Sequence, residues 1–190
     1  MNYKKFYYSY KRNGSIGVLN TFFGKIGIKF RFKTLIEKRI IWIANYIKHF
    51  TKNKVNTGLY KGMKIHDSSF WSQKDLSARL LGLYEYEVQK IILKIQSISK
   101  LKKKYLINIG GGDGYHSIGL LKSKIFEKSI IFELDKYGRD IIDFNLKINK
   151  QKHKATIYGE AKDNFLTQDL KSIKLKDCFF LIDIEGGEYS

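Results

Sequence analysis

The sequence predicts an α/β fold built on a doubly wound, mostly parallel sheet. In its second half, short apolar runs alternate with helical patterns, and a glycine-rich turn joins the first such run to a helix. Strands that alternate with helices in this way form parallel sheets that are covered on both faces. We expect the first four strands of such a sheet, at 105–109, 130–133, 155–158 and 178–184, the last of them fully buried.

Helical segments are predicted around these strands. One follows the glycine-rich turn to about residue 124, a second lies between the second and third strands, and a short one covers 165–170. A further helix precedes the first strand, and its predicted buried face consists of Tyr84, Val88, Ile91, Ile95 and Ile98. The predicted buried face of the helix after the second strand consists of Tyr137, Ile141, Phe144 and Ile148.

Positive charge is concentrated near the start of the 190-residue chain, whose formal net charge is +18. Residues 1–60 contain 13 Lys and Arg and one acid, Glu37, whereas residues 61–190 contain 23 Lys and Arg against 17 acids. Apolar residues at helical spacing within 34–50, with basic residues between them, predict an amphipathic basic helix. We expect this helix to pack on the main domain, with peripheral membrane contact as the alternative. Because Lys, Ile, Asn and Tyr are abundant throughout, the charge is not evidence for a nucleic-acid partner.

The polar stretch 51–62, which contains two glycines, predicts a linker. We therefore divide the chain into a basic, partly helical extension, 1–60, and an α/β domain, 61–190. A doubly wound sheet normally continues beyond its fourth strand, yet this sequence stops at Ser190, directly after that strand. We expect the second domain to be incomplete and the chain as given to be inactive.

The cysteine and histidine content limits which disulfides and metal sites the chain can form. The single cysteine, Cys178, precludes an internal disulfide and fits a reducing compartment, so a cytoplasmic location is expected. The N-terminus lacks the apolar core of a signal peptide, and no apolar run reaches the roughly 20 residues that cross a bilayer. The four histidines are far apart in the sequence and no H-E-x-x-H motif occurs, so no metal site is predicted.

The turn after the first predicted strand has glycines at alternate positions, Gly110, Gly112 and Gly114. Such a turn lets the backbone approach a ligand, and the N–H groups that begin the next helix can bind a carboxylate or phosphate. The dinucleotide fingerprint G-x-G-x-x-G fails from Gly110, because position 115 is Tyr. Starting from Gly112 it requires Ser117 at the relaxed last position, so a nicotinamide enzyme is disfavoured.

Acidic residues follow the other predicted strands: Glu133, Glu160 and Asp183. Glu133 lies 23 residues after Gly110, near the spacing of about 20 at which an acid meets ribose hydroxyls. Ligands of open parallel sheets bind at the carboxyl ends of the strands, so these acids and the glycine turn are expected to line one crevice. The combination indicates a ligand that contains adenosine.

Four segments in this order, NIGGGDGYHS, IIFELDKYGRDIIDFNLKIN, IYGEA and FLIDIEGGEYS, resemble the class I S-adenosylmethionine-dependent methyltransferases, and most of all the FkbM-type family. The resemblance covers about residues 60–190, includes the upstream GLYEYEVQK, and matches the D-x-E-G-x-E motif of that family at 183–188. It implies a Rossmann-like fold, S-adenosylmethionine as cofactor, and O-methylation of a glycan, sugar or small-molecule hydroxyl. Residues 61–190 would then be the N-terminal part of a methyltransferase domain.

The resemblance also implies roles for the glycine turn and the strand ends. Gly110, Gly112 and Gly114 would hold the methionine end of the cofactor. Glu133 would bind the ribose, and Glu160 with Ala161 would border the adenine.

The remaining implied site residues concern the cofactor's amine and the methyl acceptor. Asp183 would lie beside the methionine amine and the transferred methyl group. Asn108 stands where the family usually has an acid, and Asp113 is expected to supply part of the missing charge. Three residues are candidates for the base that removes the proton of an acceptor hydroxyl: Asp183, Glu185 and His116. Asp183 is the preferred candidate.

Other functions fit part of the pattern. The string IGGGDG is also similar to spermidine synthases, which transfer an aminopropyl group and share the fold. Those enzymes are expected to have a second Asp and a Pro after the fourth strand, and DIEGGE contains neither. A nucleic-acid methyltransferase and a non-catalytic binding module of the same fold are the further alternatives.

Overall fold

Residues 3–66, 73–98 and 103–184 are described by the computed structural model of the protein. The chain divides into two compact units, Met1–Tyr46 and Ile47–Ser190. The first contains helix α1 (Tyr3–Lys25), which is interrupted at Gly14, and most of helix α2 (Leu35–Thr51). Within the described ranges, none of the helices combines the length and the apolar character needed to cross a bilayer.

Polar contacts fix the start of α2, which confirms the helix predicted over 34–50. Thr34 and Glu37 form a capping box, in which the Thr34 N–H donates to Glu37 Oε2 at 2.8 Å and the Glu37 N–H donates to Thr34 Oγ1 at 3.2 Å. The side-chain amide of Asn20 exchanges two 2.8 Å hydrogen bonds with the backbone of Phe32. The segment between the two helices is therefore held from both sides.

The second unit is an α/β fold of the Rossmann-like type, built on a four-stranded parallel sheet. Its strands are β1 (Tyr105–Ile109), β2 (Lys128–Phe132), β3 (Ala155–Tyr158) and β4 (Cys178–Ile182), in the order β3-β2-β1-β4. Strand β1 lies at the centre and pairs in parallel with both β2 and β4. The predicted fold class is confirmed, and β1 and β3 have the predicted bounds.

Helices connect the strands in the predicted order. They are α3 (Gln73–Leu81), α4 (Tyr86–Ser97), α5 (Tyr115–Lys122) between β1 and β2, α6 (Lys136–Ile148) between β2 and β3, and α7 (Phe165–Gln168) before β4. The chain moves outward from β1 through β2 to β3 and then returns to the other side of β1. The carboxyl ends of β1 and β4 therefore meet at a topological switch point, where ligands of such sheets bind.

The two faces of the sheet are covered unequally. On one face, a large core packs the strands against α3, α4, α5 and α6. On the other, a small core contains Ile107, Phe132 and Cys178 and is packed by Phe165 and Leu170. Because β4 lies partly beyond this small core, the prediction of a fully buried fourth strand is wrong, and Ile182 is 50 % exposed.

Polar residues occupy buried positions that the periodicity assigned to apolar ones. In α4 the buried residues are Gln89, Ile92 and Gln96, whereas the predicted Ile91 and Ile98 are exposed. The buried glutamines bond to backbone, since Gln89 Nε2 donates to the Tyr84 carbonyl at 2.8 Å and Gln96 Oε1 accepts from the Lys103 N–H at 2.9 Å.

Helix α6 shows the same kind of correction. Its buried residues include Ile141, Ile142 and Asn145, whereas the predicted Tyr137 and Phe144 are exposed. Asn145 is buried because its side chain accepts from the His66 N–H at 2.8 Å and donates to the Asp113 carbonyl at 3.0 Å. Tertiary hydrogen bonds, which periodicity does not contain, decide which face turns inward.

The segment predicted as a linker, 51–62, belongs to the core of the second unit. Val55 and Tyr60 are buried in the large core, and Lys54 pairs with Lys64 in an antiparallel bridge. The Val55 N–H donates to the Met63 carbonyl at 2.8 Å. The linker prediction is therefore wrong, because the polar residues of this stretch form a turn around two buried apolar side chains.

Gly119 allows Tyr60 to pack directly on α5, and we predict that Gly119→Ala destabilises the second unit. A Cβ on Gly119 would lie 2.4 to 2.6 Å from three atoms of the Tyr60 ring. Such overpacking should lower the free energy of unfolding by about 1 to 3 kcal/mol, measured by urea denaturation. Gly159→Ala, whose new Cβ has Arg139 Nη1 as its nearest neighbour at 3.9 Å, is the control. Equal effects of the two substitutions would contradict the packing described for Tyr60.

Candidate active site

A cleft of about 1140 Å³ opens at the carboxyl ends of the strands. The structure brings the following sequence-predicted residues together in its lining: Asn108, Gly110, Gly112, Asp113, His116, Glu133, Glu160, Ala161 and Asp183. Gly114 is instead the N-cap residue of α5, with a backbone φ of 81°. The predicted Glu185 lies outside the described residues.

Contacts with the neighbouring backbone determine the conformation of the glycine turn. Gly110 and Gly112 have φ values of 85° and 57°, in the left-handed region that favours glycine. A Cβ on Gly110 would lie 1.8 Å from the carbonyl oxygen of Asp183, so only glycine fits beneath the end of β4. The Asp183 N–H donates to the Ile109 carbonyl at 2.9 Å, which holds the two chain segments together.

Glu133 fastens this turn to the end of β2. Its Oε2 accepts from the Gly112 N–H at 2.6 Å, and its Oε1 accepts from the Asp135 N–H at 2.9 Å. The residue is 8 % exposed and lines the cleft. Each carboxylate oxygen has two acceptor sites, so one on each oxygen is still available for a further donor.

Asp113 forms a buried ion pair with Arg79, a residue of α3 that the sequence analysis did not identify. The guanidinium of Arg79 contacts Asp113 Oδ2 and lies over the ring of Tyr84, 4.4 Å from its centroid. Asp113 Oδ1 accepts from the Tyr115 N–H at 3.2 Å at the start of α5. The negative charge that we expected Asp113 to offer a ligand is therefore matched by Arg79.

Asn108 joins the central strand to α5. Its side-chain amide donates to Ser117 Oγ at 2.9 Å, and both residues are buried. An acid at this position would instead accept from the Ser117 hydroxyl. Asn108 thus has a structural contact here, and any contact with a ligand is additional to it.

His116 is the centre of a hydrogen-bonded chain in the lining of the cleft. Its Nδ1 lies 3.0 Å from the hydroxyl of Tyr60, and its Nε2 lies 2.8 Å from Glu85 Oε2. A neutral ring with its proton on Nε2 satisfies all three groups. Both ring nitrogens are engaged, so His116 holds Glu85 in place, and its use as a base stays a prediction.

Glu85 has an unusual backbone conformation, and its side chain is held by His116. Its backbone lies in the left-handed region, with φ 46° and ψ 44°, directly before α4. The hydrogen bond from His116 holds the pKa of Glu85 below its ordinary value. A strained, fixed carboxylate in a cleft is a typical feature of functional sites.

The cleft is acidic in a strongly basic protein. Seven of the chain's 18 acidic residues line it, together with one arginine, Arg79. The acids are Asp75, Glu85, Asp113, Glu133, Asp135, Glu160 and Asp183. Within residues 3–66, 73–98 and 103–184, no three His, Cys, Asp or Glu side chains are arranged to hold a metal ion. The lining favours positively charged ligands and repels phosphates.

Comparison with known proteins gives a distant structural likeness. No protein-family model matches the chain, and no curated protein sequence matches it. Among solved structures, a similar one is an O-methyltransferase family protein from Burkholderia thailandensis, with 11 % sequence identity and a TM-score of 0.34. The alignment covers 68 % of this chain and 40 % of that protein, so the chain spans less than half of its length.

We predict that Asp113→Asn strongly destabilises the second unit. The substitution leaves the charge of Arg79 buried without its partner, which should lower the free energy of unfolding by about 3 to 5 kcal/mol. Asp140→Asn removes the exposed pair with Lys136 and should cost less than about 1 kcal/mol. Urea denaturation of both variants measures the difference, and similar losses would mean that the Arg79 pair is not the buried contact described.

We predict that Glu85→Gln reduces stability at neutral pH and that the deficit shrinks in acid. Since the pKa of Glu85 is lowered in the folded state, its charged form adds stability above the ordinary value of 4.5, and this is lost as pH falls through the lowered pKa. Urea unfolding at neutral and acid pH measures the change. Glu87→Gln, which removes an exposed pair with Lys90, is the control. A deficit of Glu85→Gln that stays constant with pH would contradict the His116 contact.

Proposed function

We propose that the second unit is part of an S-adenosylmethionine-dependent methyltransferase. The observation that carries the proposal is the glycine turn after β1, fastened by Glu133 of β2, within a cleft lined by seven acids. This cleft lies at the switch point of a parallel sheet, where such folds bind nucleosides. The FkbM-type sequence resemblance supports the same proposal.

The charge of the cleft supports a cationic donor over a dinucleotide. S-adenosylmethionine carries a positive sulfonium and a positive amine, whereas a dinucleotide brings two negative phosphates to the start of the helix after the glycine turn. Here the Asp113 carboxylate already accepts from the Tyr115 N–H at that helix start. The other acids of the cleft lining would repel a pyrophosphate further.

The described residues fit the parts of this donor. Glu133 offers two remaining acceptor sites to the ribose hydroxyls. Glu160 and Ala161, after β3, border the place proposed for the adenine, and Asp183 provides a negative charge for the amine. The turn through Gly110 and Gly112 then lies against the methionine end.

The donor, when bound, supplies an electrophilic methyl group. The protein has to align the acceptor, exclude water and receive the proton of the acceptor hydroxyl. We assign the proton to the carboxylate of Asp183, because it is an exposed acceptor in the cleft lining. Glu85, which also lines the cleft, is a hydrogen-bond acceptor for the same substrate.

The acceptor proposed is a hydroxyl of a sugar, glycan or other small molecule. Ligand pockets for small molecules measure about 300 to 1,000 Å³, so a cleft of about 1140 Å³ has room for an acceptor beside the donor. The acidic lining disfavours a nucleic-acid acceptor, since its phosphates would be repelled.

We predict that S-adenosylmethionine binds saturably to the full chain and that Asp183→Asn weakens this binding about tenfold, which equals about 1.4 kcal/mol. Isothermal titration calorimetry measures both affinities. The substitution keeps the Asp183 backbone bond to Ile109 and removes only the charge of the side chain. Asp163→Asn, which changes an exposed acid outside the cleft, is the matched control.

The same titration distinguishes the alternatives. Absence of binding at millimolar donor would contradict every transferase function considered for the cleft. Tighter binding of the decarboxylated donor would favour aminopropyl transfer, and binding of NADH in its place would favour an oxidoreductase.

A further inference from the structure

We infer that the first unit, Met1–Tyr46, docks on the surface of anionic lipid membranes through one face of α2. This face is formed by Leu35, Arg39, Trp42 and Tyr46, and we call it the α2 aromatic face. The four residues recur at i, i+4, i+7 and i+11, so they share one side of the helix. The inference concerns the first unit and does not depend on the function proposed for the cleft.

The α2 aromatic face is exposed although three of its four residues are apolar or aromatic. Trp42 and Tyr46 are 68 % and 62 % exposed, and Leu35 is similarly open. Ile36 and Ile43 flank the face and are exposed as well. Trp and Tyr are the residues that collect at the boundary between lipid and water, where an amphipathic ring contacts both.

Positive charge is exposed on every described segment of the first unit. All ten Lys and Arg side chains of Met1–Tyr46 are exposed. The unit's one acid, Glu37, is paired with Arg31. An interfacial helix combines an apolar face with surrounding Lys and Arg, so both components of anionic-membrane binding are present.

The same observations disfavour other occupants. Single-stranded nucleic acid binds through bases stacked on aromatic rings, but Trp42 and Tyr46 already stack on each other with centroids 6.0 Å apart and planes 19° apart. Exposed Leu35, Ile36 and Ile43 add nothing to such binding, whereas lipid chains accommodate them. A second copy would bring a face with the same positive charge, which repels.

Vesicle co-sedimentation of the full chain tests the inference. We expect binding to vesicles of phosphatidylglycerol and phosphatidylcholine, little binding to phosphatidylcholine alone, and release as salt is raised. Trp42→Ser with Tyr46→Ser, and separately Lys38→Ala with Arg39→Ala, should each weaken partitioning at least about tenfold, since each basic residue near the surface contributes about a fivefold factor.

Matched controls change the same residue classes in the second unit. Leu166→Ser with Leu175→Ser removes exposed apolar side chains, and Lys94→Ala with Lys128→Ala removes exposed charges. Both should bind vesicles like the unchanged chain. In a background with Trp71→Phe, Trp42 is the only tryptophan of the chain, and its emission should shift to shorter wavelength on anionic vesicles.

Several outcomes would overturn the inference. These are equal binding to neutral and anionic vesicles, unchanged binding by the Trp42 and Tyr46 variant, or unchanged Trp42 emission. Complete competition by a single-stranded RNA that itself shifts Trp42 emission would assign the face to nucleic acid instead. Because the substituted side chains are exposed, circular dichroism should show unchanged helix content, and the two variant pairs test the face independently.

Discussion

The carboxylate of Glu133 is the contact on which the candidate site depends. It joins the Gly112 N–H of the turn after β1 to the Asp135 N–H before α6, so two loops of the sheet share one buried anchor. Gly138 allows this arrangement, since a Cβ there would lie 2.9 Å from Glu133 Cγ. A residue proposed to bind a ribose is thus also the residue that shapes the turn beneath it.

Acidic residues converge on the cleft from the ends of β2, β3 and β4 and from the glycine turn after β1, while the rest of the chain is basic. The Arg79 and Asp113 pair neutralises one of these acids and fixes α3 against the glycine turn. The hydrogen bonds that join Tyr60, His116 and Glu85 fix a second acid, Glu85. The remaining carboxylates give the cleft a negative potential suited to a sulfonium donor, as the proposed function requires.

Local patterns predicted much of this arrangement, and tertiary contacts decided the rest. The strands, the glycine turn and the acids Glu133, Glu160 and Asp183 follow from short-range signals, because strand ends and turns are local features. Arg79 reaches the cleft because α3 packs beside α5, and no motif encodes that packing. Glu85 lies in the GLYEYEVQK segment, but its contact with His116 is a tertiary one that the segment does not contain. Periodicity assigned the wrong inward faces to α4 and α6, because it does not contain tertiary hydrogen bonds. The buried Gln and Asn side chains bond to distant backbone groups.

Amide hydrogen exchange of the full chain with and without S-adenosylmethionine tests the central claim most directly, because exchange reports which segments a ligand holds closed. We predict slower exchange at the glycine turn, 110–114, and at 133–135, with the first unit unchanged. Unchanged exchange in both segments at saturating donor, or protection confined to other parts of the chain, would contradict the assignment of this cleft as the donor site.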